Sequence, residues 1–292
     1  MKIKDTIQLF RSELKNTYSA EEIENFIFYS MNEYLGFSRR HLQLKAEQPL
    51  ADTEVRRFQT IVEELKSYKP IQYILGHTEF YGYKIRVNEH VLIPRPETEE
   101  LVEYILQGTR DEGREADELN IIDLCTGSGC IAIALKKNLS EATVSAIDIS
   151  DEALLIAKAN AILNQTKINF LQGDILELNN SKSQQFNNFD VMVSNPPYVR
   201  QSEKGKMGRN VLDHEPHLAL FVKDEDALVF YKAIADFALQ NLAPDGKLYF
   251  EINENLGAEV KKLLETKGFK NVEVKKDMSG KDRIVASSKF KV

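Results

Sequence analysis

The run Asn195-Pro-Pro-Tyr198 holds the residue types needed for chemistry on a planar NH2 group. It follows the apolar segment Asp190–Val193, which predicts a strand, so it lies where that strand ends. An amide or nucleobase nitrogen is a weak nucleophile because its lone pair is delocalised. The Asn195 side-chain oxygen and the Pro196 carbonyl can each accept one N–H and turn that lone pair toward an electrophile such as a sulfonium methyl. The prolines keep the backbone extended, and Tyr198 offers a flat face for stacking.

A second group of residues is typical of a nucleoside site. The segment Ile121–Ala132 predicts a strand, a tight turn and the start of a helix, and Gly127 and Gly129 let the backbone of that turn pass close to a ligand. Asp148 ends the next predicted strand, where a carboxylate can accept hydrogen bonds from both ribose hydroxyls. Asp174 follows the third strand and can reach an adenine edge. The group predicts an adenosine-containing ligand.

The glycine turn alone leaves the reaction open. Gly127-x-Gly129-x-x-Ala132 also fits the loose dinucleotide fingerprint, so it suits both a nicotinamide enzyme and an S-adenosylmethionine enzyme. No Walker lysine follows the glycines, which disfavours a P-loop nucleotidase. The Asn195–Tyr198 run favours methyl transfer over hydride transfer.

Composition and charge restrict the class of protein. The chain has 292 residues, with 38 Lys and Arg against 45 Asp and Glu, so its formal net charge is −7. That balance is not typical of a protein that grips a long phosphate backbone. The chain has no apolar run long enough for a transmembrane helix and no secretory signal, so we expect a cytoplasmic protein without membrane contact. We also expect Cys125 and Cys130 to be reduced and largely buried thiols, and His214 and His217 not to bind a metal.

Periodicity divides the chain into three parts. Residues 1–75 show helical spacing throughout and predict a helical bundle. Residues 76–93 predict a β-hairpin linker with Gly82 in its turn, and a helix begins near Glu97. Residues 94–292 then alternate strands with helices, which predicts an α/β fold with a doubly wound, mostly parallel sheet. A polar loop is expected at 177–188. The predicted strands are 119–124, 143–148, 168–171, 189–194, 247–251, 272–275 and an antiparallel 283–286.

These motifs occur together in a known family. Over most of its length the chain resembles the HemK/PrmC-type release-factor glutamine methyltransferases. The run Leu92-Ile-Pro-Arg-Pro-Glu-Thr-Glu99, before the glycine turn, is the most specific part of the resemblance. Asn-Pro-Pro-Tyr by itself is shared with adenine-N6 DNA methyltransferases. The remaining matches are Pro70–Gly76, Glu79–Gly82, Asp123–Gly129 and Glu215–Leu220.

The resemblance implies a Rossmann-like class I methyltransferase with a seven-stranded sheet. It implies methyl transfer from S-adenosylmethionine, giving S-adenosylhomocysteine, to the glutamine side-chain amide in the Gly-Gly-Gln motif of class 1 peptide chain release factors. The N-terminal domain would help to hold the release factor. The expected cofactor contacts are Cys125, Thr126, Gly127, Ser128, Gly129, Asp148, Asp174, Ile175 and Asn195. The expected contacts with the glutamine are Asn195, Pro196, Pro197 and Tyr198, of which Asn195, Pro196 and Tyr198 would act in catalysis.

The chain departs from the family pattern at three places. Cys125 stands where glycine is usual, Ile175 stands where an aromatic residue is frequent, and Glu251-Ile-Asn-Glu-Asn255 replaces a more usual Glu-Ile-Gly run. Each change could lower cofactor affinity. Arg95 and Glu97 fit either a ligand contact or a linker ion pair with helix capping. The basic loop Arg200–Asn210 fits either a solvated mobile loop or a lid that meets the partner.

Several alternatives are distinguishable by experiment. A ribosomal-protein glutamine methyltransferase would use the same chemistry, and the N-terminal helices would set the choice of substrate. An adenine-N6 methyltransferase acting on DNA or RNA is a second alternative. The net charge and the absence of a dedicated basic recognition domain argue against DNA, and no direct DNA binding is expected. A nicotinamide oxidoreductase would have no use for Asn195, and a non-catalytic adapter would not need the intact motifs. We expect a monomer.

Overall fold

The computed structural model describes residues 1–111, 119–178 and 188–289. They form two compact units: Met1–Gly76 with Gly208–His214, and His77–Met207 with Glu215–Val292. Most of the polar loop expected at 177–188 lies outside the described residues. No helix in the described ranges has both the length and the apolar character to cross a membrane.

The first unit is helical, as periodicity predicts. Ser19 begins its longest helix with a capping box, because its Oγ accepts the Glu22 backbone N–H while its own N–H donates to the Glu22 carboxylate at 2.9 Å. The apolar faces of the helices meet in one core, where the Phe10 and Phe58 rings pack edge to face. The helices within residues 1–76 are α1 (Ile3–Leu14), α2 (Ala20–Leu35), α3 (Arg39–Leu44), α4 (Asp52–Lys66) and α5 (Ile71–Leu75).

A tight hairpin begins the second unit. Strands β1 (His77–Phe80) and β2 (Tyr83–Arg86) pair antiparallel, and the two residues between them, Tyr81 and Gly82, both have positive φ, 50° and 77°. Two such residues make the turn whose twist suits a two-residue hairpin. The Tyr81 N–H donates to Glu99 at 2.8 Å on helix α6 (Pro96–Asp111), so the hairpin is fixed to that helix.

The centre of the second unit is a sheet of strands β3 (Asn120–Leu124), β4 (Thr143–Asp148), β5 (Asn169–Gln172), β6 (Phe189–Ser194), β9 (Leu242–Glu251), β10 (Lys270–Lys276) and β11 (Asp282–Ser288). Their order is β10-β11-β9-β6-β3-β4-β5. Seven strands are thus paired within the described ranges, and the links from β5 through to β9 are parallel while β11 pairs antiparallel on both sides. This confirms the predicted doubly wound, mostly parallel, seven-stranded sheet. Two further strands, β7 (Val199–Arg200) and β8 (Phe221–Val222), form a separate parallel pair.

Helices flank the sheet and bury its apolar side chains. The core between the sheet and its helices includes Met192, Tyr231 and Phe250, all fully buried. The helices are α7 (Cys130–Asn138), α8 (Asp151–Leu163), α9 (Ile175–Leu178), α11 (Val229–Asn241) and α12 (Gly257–Lys267), while α10 (Arg209–Leu212) belongs to the first unit.

Strand β9 begins five residues earlier than the sequence indicates. Its pairing with β6 shifts between Leu242 and Lys247, so the intervening residues form a bulge. Asp245 has a φ of 62°, which is typical of such an irregularity. Pro244, Asp245 and Gly246 read as a turn in the sequence, because these residue types are depleted in regular strands.

Asn160 links three separate segments of the second unit. It lies on α8, is fully buried, and uses every polar atom of its amide. Its Oδ1 accepts the Arg86 N–H at 2.7 Å, and its Nδ2 donates to the Arg86 carbonyl at 3.0 Å and to the Ser128 carbonyl at 2.9 Å. One side chain therefore holds the hairpin and the glycine turn on the same helix.

Replacing Asn160 by aspartate should destabilise this arrangement. The substituted carboxylate cannot donate to the two carbonyls, so we expect Asn160→Asp to lower the free energy of unfolding by about 3 kcal/mol. Denaturation followed by circular dichroism measures the change. The matched control is Asn241→Asp at the end of α11, a half-buried amide that donates to the Phe237 carbonyl of its own helix at 2.9 Å, and it should lose less than about 1 kcal/mol. Equal losses for the two variants would contradict the linking role.

Candidate active site

The strand register places several chemically capable residues at one edge of the sheet. Leu124 pairs with Ile147 on one side and with Ser194 on the other, and Ser194 pairs with Phe250. The residues that follow these partners therefore leave the sheet side by side. They are Cys125, Asp148, Asn195 and Glu251.

A pocket of about 340 Å³ lies at this edge, entirely within the second unit. Its volume is in the range of small-molecule sites, roughly 300–1,000 Å³. The predicted site residues that line it are Cys125, Thr126, Gly127, Ser128, Asp148, Asp174, Ile175, Asn195 and Pro197. Gly129, Pro196 and Tyr198 are not among the lining residues. Further lining comes from residues 89–92, Pro94, Arg95, Thr98, Pro216, Leu218, Ala219 and Phe230.

The two glycines of the turn have different surroundings. Gly127 has a φ of 53° and lines the pocket, and a Cβ added there would meet nothing within 4 Å. Gly129 has a φ of 80°, and a Cβ there would approach the Ala157 Cβ to 3.1 Å. Gly127 thus leaves space for a ligand, whereas Gly129 lets α8 pack closely against the turn.

Asp148 is oriented by the backbone around it. Its Oδ2 accepts the Gly127 N–H at 2.7 Å, and its Oδ1 accepts the Ser150 N–H at 3.0 Å. Each carboxylate oxygen keeps a further lone pair, which suits a ligand with two adjacent hydroxyls. Burial raises the pKa of Asp148, and the backbone N–H groups oppose that rise.

The far end of the pocket is mostly aliphatic. Ile175 is 4% exposed and belongs both to the core and to the pocket wall. Asp174 immediately precedes α9, and its Oδ1 accepts the Leu176 N–H at 2.9 Å. A flat apolar ring would therefore meet aliphatic side chains here, with one carboxylate at its edge.

Asp123 lies beneath the turn as a fully buried carboxyl. Its Oδ2 accepts the Thr126 hydroxyl at 2.6 Å, which fixes the base of the turn to β3. Burial is the main reason that the pKa of Asp123 rises to about 7, and the nearby charge of Asp148 adds to it. The sequence placed Asp123 within a motif but assigned it no separate role.

Asn195 is held by a chain of side-chain hydrogen bonds. Its Nδ2 donates to Thr98 Oγ1 at 3.3 Å, and the Thr98 hydroxyl donates to Glu251 Oε2 at 2.6 Å. The Tyr198 hydroxyl donates to Glu251 Oε1 at 2.9 Å. Tyr198 is partly buried, packs against the core and is tied down at its hydroxyl.

Arg95 makes an ion pair and also lines the pocket. It bonds to the buried Glu215 at 2.6 Å, and the second Glu215 oxygen accepts the Ile93 N–H at 3.1 Å. Glu215 therefore joins the segment before α6 to the segment that carries Pro216 and Leu218. Both interpretations of Arg95 from the sequence thus fit the structure. Glu97 is half-buried and does not line the pocket.

The basic loop does not line the pocket. Residues Gln201–Lys206 form 3-10 turns, and the Lys204 ammonium lies 4.4 Å from the Phe221 ring centre. Residues Gly208–His214 belong to the first unit, where Arg209 stacks over Tyr68. The two histidines of the nearby motif have different partners: His214 contacts the Ser67 carbonyl, whereas His217 packs edge to face on Phe221.

Thr98 and Glu251 are the site residues that sequence reasoning missed. Thr98 lies inside the Leu92–Glu99 run, and Glu251 begins one of the departures from the family pattern. Their contact joins residues 153 positions apart, so neither spacing nor periodicity could reveal it. The only signal was two polar residues at places that become buried, 2% and 1% exposed.

Position 125 provides a test of the turn geometry. Cys125 has a φ of 61°, a conformation that disfavours residues with a Cβ by about 1–2 kcal/mol. We expect Cys125→Gly to be more stable than Cys125→Ala by about 1 kcal/mol in chemical denaturation. Cys130 is the control, because it lies in α7 and alanine should there be at least as stable as glycine. The same preference at both positions would rule out a left-handed residue 125.

The buried Asp123 predicts a pH-dependent stability. Its pKa is raised from 3.8 to about 7, so between these values the unfolded chain loses a proton that the folded chain keeps. The wild type should therefore lose about 1.4 kcal/mol per pH unit relative to Asp123→Asn over this window, and nothing more above it. Paired denaturation curves between pH 4 and pH 8 measure the difference. Parallel pH profiles would show that Asp123 ionises normally.

Comparisons with known proteins agree with this geometry. The chain matches the model of the PrmC N-terminal domain over residues 5–76 and that of the methyltransferase small domain over residues 109–219. Among solved structures, the catalytic domain of hMettl16 in complex with the MAT2A 3′UTR hairpin 1 has a TM-score of 0.58 at 19% identity, covering 90% of this chain and 92% of that one. At that identity the likeness shows the fold alone.

Sequence relatives are more specific. The release factor glutamine methyltransferase of Flavobacterium psychrophilum is 46% identical, with 98% of both chains covered. The protein of the same name from Bacteroides thetaiotaomicron is 41% identical over 96% of this chain and 97% of its own length. The chain belongs to the release factor glutamine methyltransferase family.

Proposed function

We propose that this chain transfers a methyl group from S-adenosylmethionine to the glutamine side-chain amide in the Gly-Gly-Gln motif of class 1 peptide chain release factors. One observation carries the proposal. Asn195 lines the same pocket as the glycine turn and Asp148, so an amide acceptor and a nucleoside site share one cavity. The two relatives described above are named release factor glutamine methyltransferases, which supports the proposal.

The residues of the pocket fit the proposed cofactor. The Asp148 carboxylate would accept the two ribose hydroxyls, with Gly127 leaving space beside it. The aliphatic wall at Ile175 would face the adenine, and Asp174 its edge. Cys125, Thr126 and Ser128 would line the methionine side of the turn. The cofactor, when bound, supplies a sulfonium methyl, and S-adenosylhomocysteine is left after transfer.

Asn195 would hold the substrate amide together with Pro196, which does not itself line the pocket but stands between two residues that do, Asn195 and Pro197. Oδ1 of Asn195 and the carbonyl of Pro196 would each accept one N–H of the glutamine, which directs the nitrogen lone pair toward the methyl group. As the N–C bond forms, positive charge grows on nitrogen and the two oxygens stabilise it. The proton then becomes acidic and leaves to solvent, so no strong general base is needed. Pro197 would contact the glutamine side chain. Tyr198 would hold the Asn195–Pro197 segment in place through its hydrogen bond to Glu251.

The same proposal assigns roles to the rest of the chain. Residues 1–75 would dock the release factor, residues 76–93 would link the domains, and residues 94–292 would carry the reaction. The match of residues 5–76 to the PrmC N-terminal domain supports the first assignment. Cys125 and Cys130 are both free thiols, which supports a reducing compartment such as the cytoplasm. We propose a monomer that does not bind DNA directly.

Labelled S-adenosylmethionine tests the proposal. We expect label on a purified class 1 release factor, and none on the same factor with its Gly-Gly-Gln glutamine changed to alanine or on duplex DNA. Asn195→Ala should lower kcat by on the order of 100-fold or more, because it removes an acceptor from the reacting amide. Label on both release factors would show that another residue is methylated, and label on DNA would favour the adenine-N6 methyltransferase alternative. Binding of the cofactor without transfer would make a ribosomal protein the next substrate.

A further inference from the structure

The hydrogen-bond chain behind Asn195 has a defined direction. Glu251 is 1% exposed, and its two carboxylate oxygens receive the hydroxyls of Thr98 and Tyr198. Burial raises the pKa of Glu251, and the hydroxyls of Thr98 and Tyr198 and the charge of Arg283 oppose that rise. The Thr98 hydroxyl donates to Glu251 Oε2, so its hydrogen points toward that carboxylate. On the side that faces Asn195, Oγ1 of Thr98 then carries only lone pairs and can only accept a hydrogen bond.

This direction decides which way the Asn195 amide is turned. An oxygen that can only accept requires the NH2 end of the amide, and Nδ2 is the atom found 3.3 Å from Thr98 Oγ1. Oδ1 lies at the other end of the planar amide, and Asn195 lines the pocket. The amide is thereby fixed with its oxygen available to a ligand. If the amide were rotated by 180°, the pocket would instead meet an NH2 group, which cannot accept the N–H of a substrate.

We propose that Thr98 and Glu251 are positioning residues, which fix the orientation of the Asn195 amide so that Oδ1 accepts the N–H of the substrate glutamine. This inference rests on the proposed function. Neither residue has to touch the reacting atoms, because Thr98 acts through Asn195 and Glu251 acts through Thr98. Their contribution should therefore appear in turnover rather than in cofactor affinity.

The surroundings of Glu251 support a role beyond packing. A buried carboxylate is costly unless it is well paired, and an apolar residue at such a place is often as stable or more so. The nearby Arg283 is engaged by Asp277, with its Nε 3.1 Å from Oδ2, and is not hydrogen-bonded to Glu251 in the described structure. Two hydroxyl donors thus hold this carboxylate, and one of them leads directly to Asn195.

The inference is tested by substitutions at Thr98 in the full-length chain. Thr98→Val keeps the shape but removes the hydroxyl, whereas Thr98→Ser keeps the hydroxyl. We expect Thr98→Val to lower kcat for methylation of the release factor by on the order of 10- to 100-fold, and Thr98→Ser to recover most of it. The KM for the release factor and the Kd for S-adenosylmethionine should stay within about threefold, because no binding group is removed.

A matched control separates positioning from loss of structure. Thr109→Val removes another buried hydroxyl from α6, one that donates to the Ile105 carbonyl at 2.9 Å and does not line the pocket. It should leave kcat unchanged, and all variants are compared by thermal unfolding. If Thr98→Val does not fold, Glu251→Gln serves instead. Its amide can donate to Thr98, so the hydrogen-bond direction is no longer enforced and kcat should again fall.

The outcomes are distinguishable. If the wild type methylates the release factor and Thr98→Val has the same kcat, the positioning role is overturned and the proposed function stands. Equal loss in Thr98→Val and Thr98→Ser, or loss that follows thermal stability, would show a merely structural role. No transfer by the wild type to the Gly-Gly-Gln glutamine would overturn the proposed function and this inference with it.

Discussion

The site depends on the register of the parallel strands. Leu124 pairs with Ser194, and the Ser194 hydroxyl donates to the Leu124 carbonyl at 2.6 Å, so β3 and β6 end at the same level. Side chains alternate between the two faces of a sheet, and a shift of one residue would therefore reverse every side chain on β6. The glycine turn and Asn195 meet because this register is fixed by buried apolar side chains on both faces.

Much of the fold is readable in the sequence because its signals are local. Strands β4 and β6 have the predicted bounds, and the other sheet strands differ by a few residues, with β9 furthest extended because its bulge resembles a turn. The hairpin was visible because its turn residues lie between two short β segments. The short pair β7 and β8 was not predicted, since two residues per strand give no periodicity.

The candidate site was predictable only in part, for a physical reason. Gly127, Asp148 and Asn195 belong to motifs whose geometry is set by the strand that precedes each of them. Thr98 and Glu251 meet Asn195 only after folding, and Tyr198 is turned toward Glu251 by a contact across 53 positions. Long-range polar contacts of this kind leave no spacing in a single sequence. The different surroundings of Gly127 and Gly129 were equally hidden, because only the packing of α8 distinguishes them.

The close approach of Gly129 to Ala157 has a consequence for how such a chain can vary over evolutionary time. With 3.1 Å between the Ala157 Cβ and the place where a Cβ of residue 129 would lie, the two positions share one small volume. Any gain of side-chain volume at 157 would press on the turn as much as a gain at 129 would. Descendants of this sequence should therefore keep both positions small together, although only one of them lies in a recognisable motif.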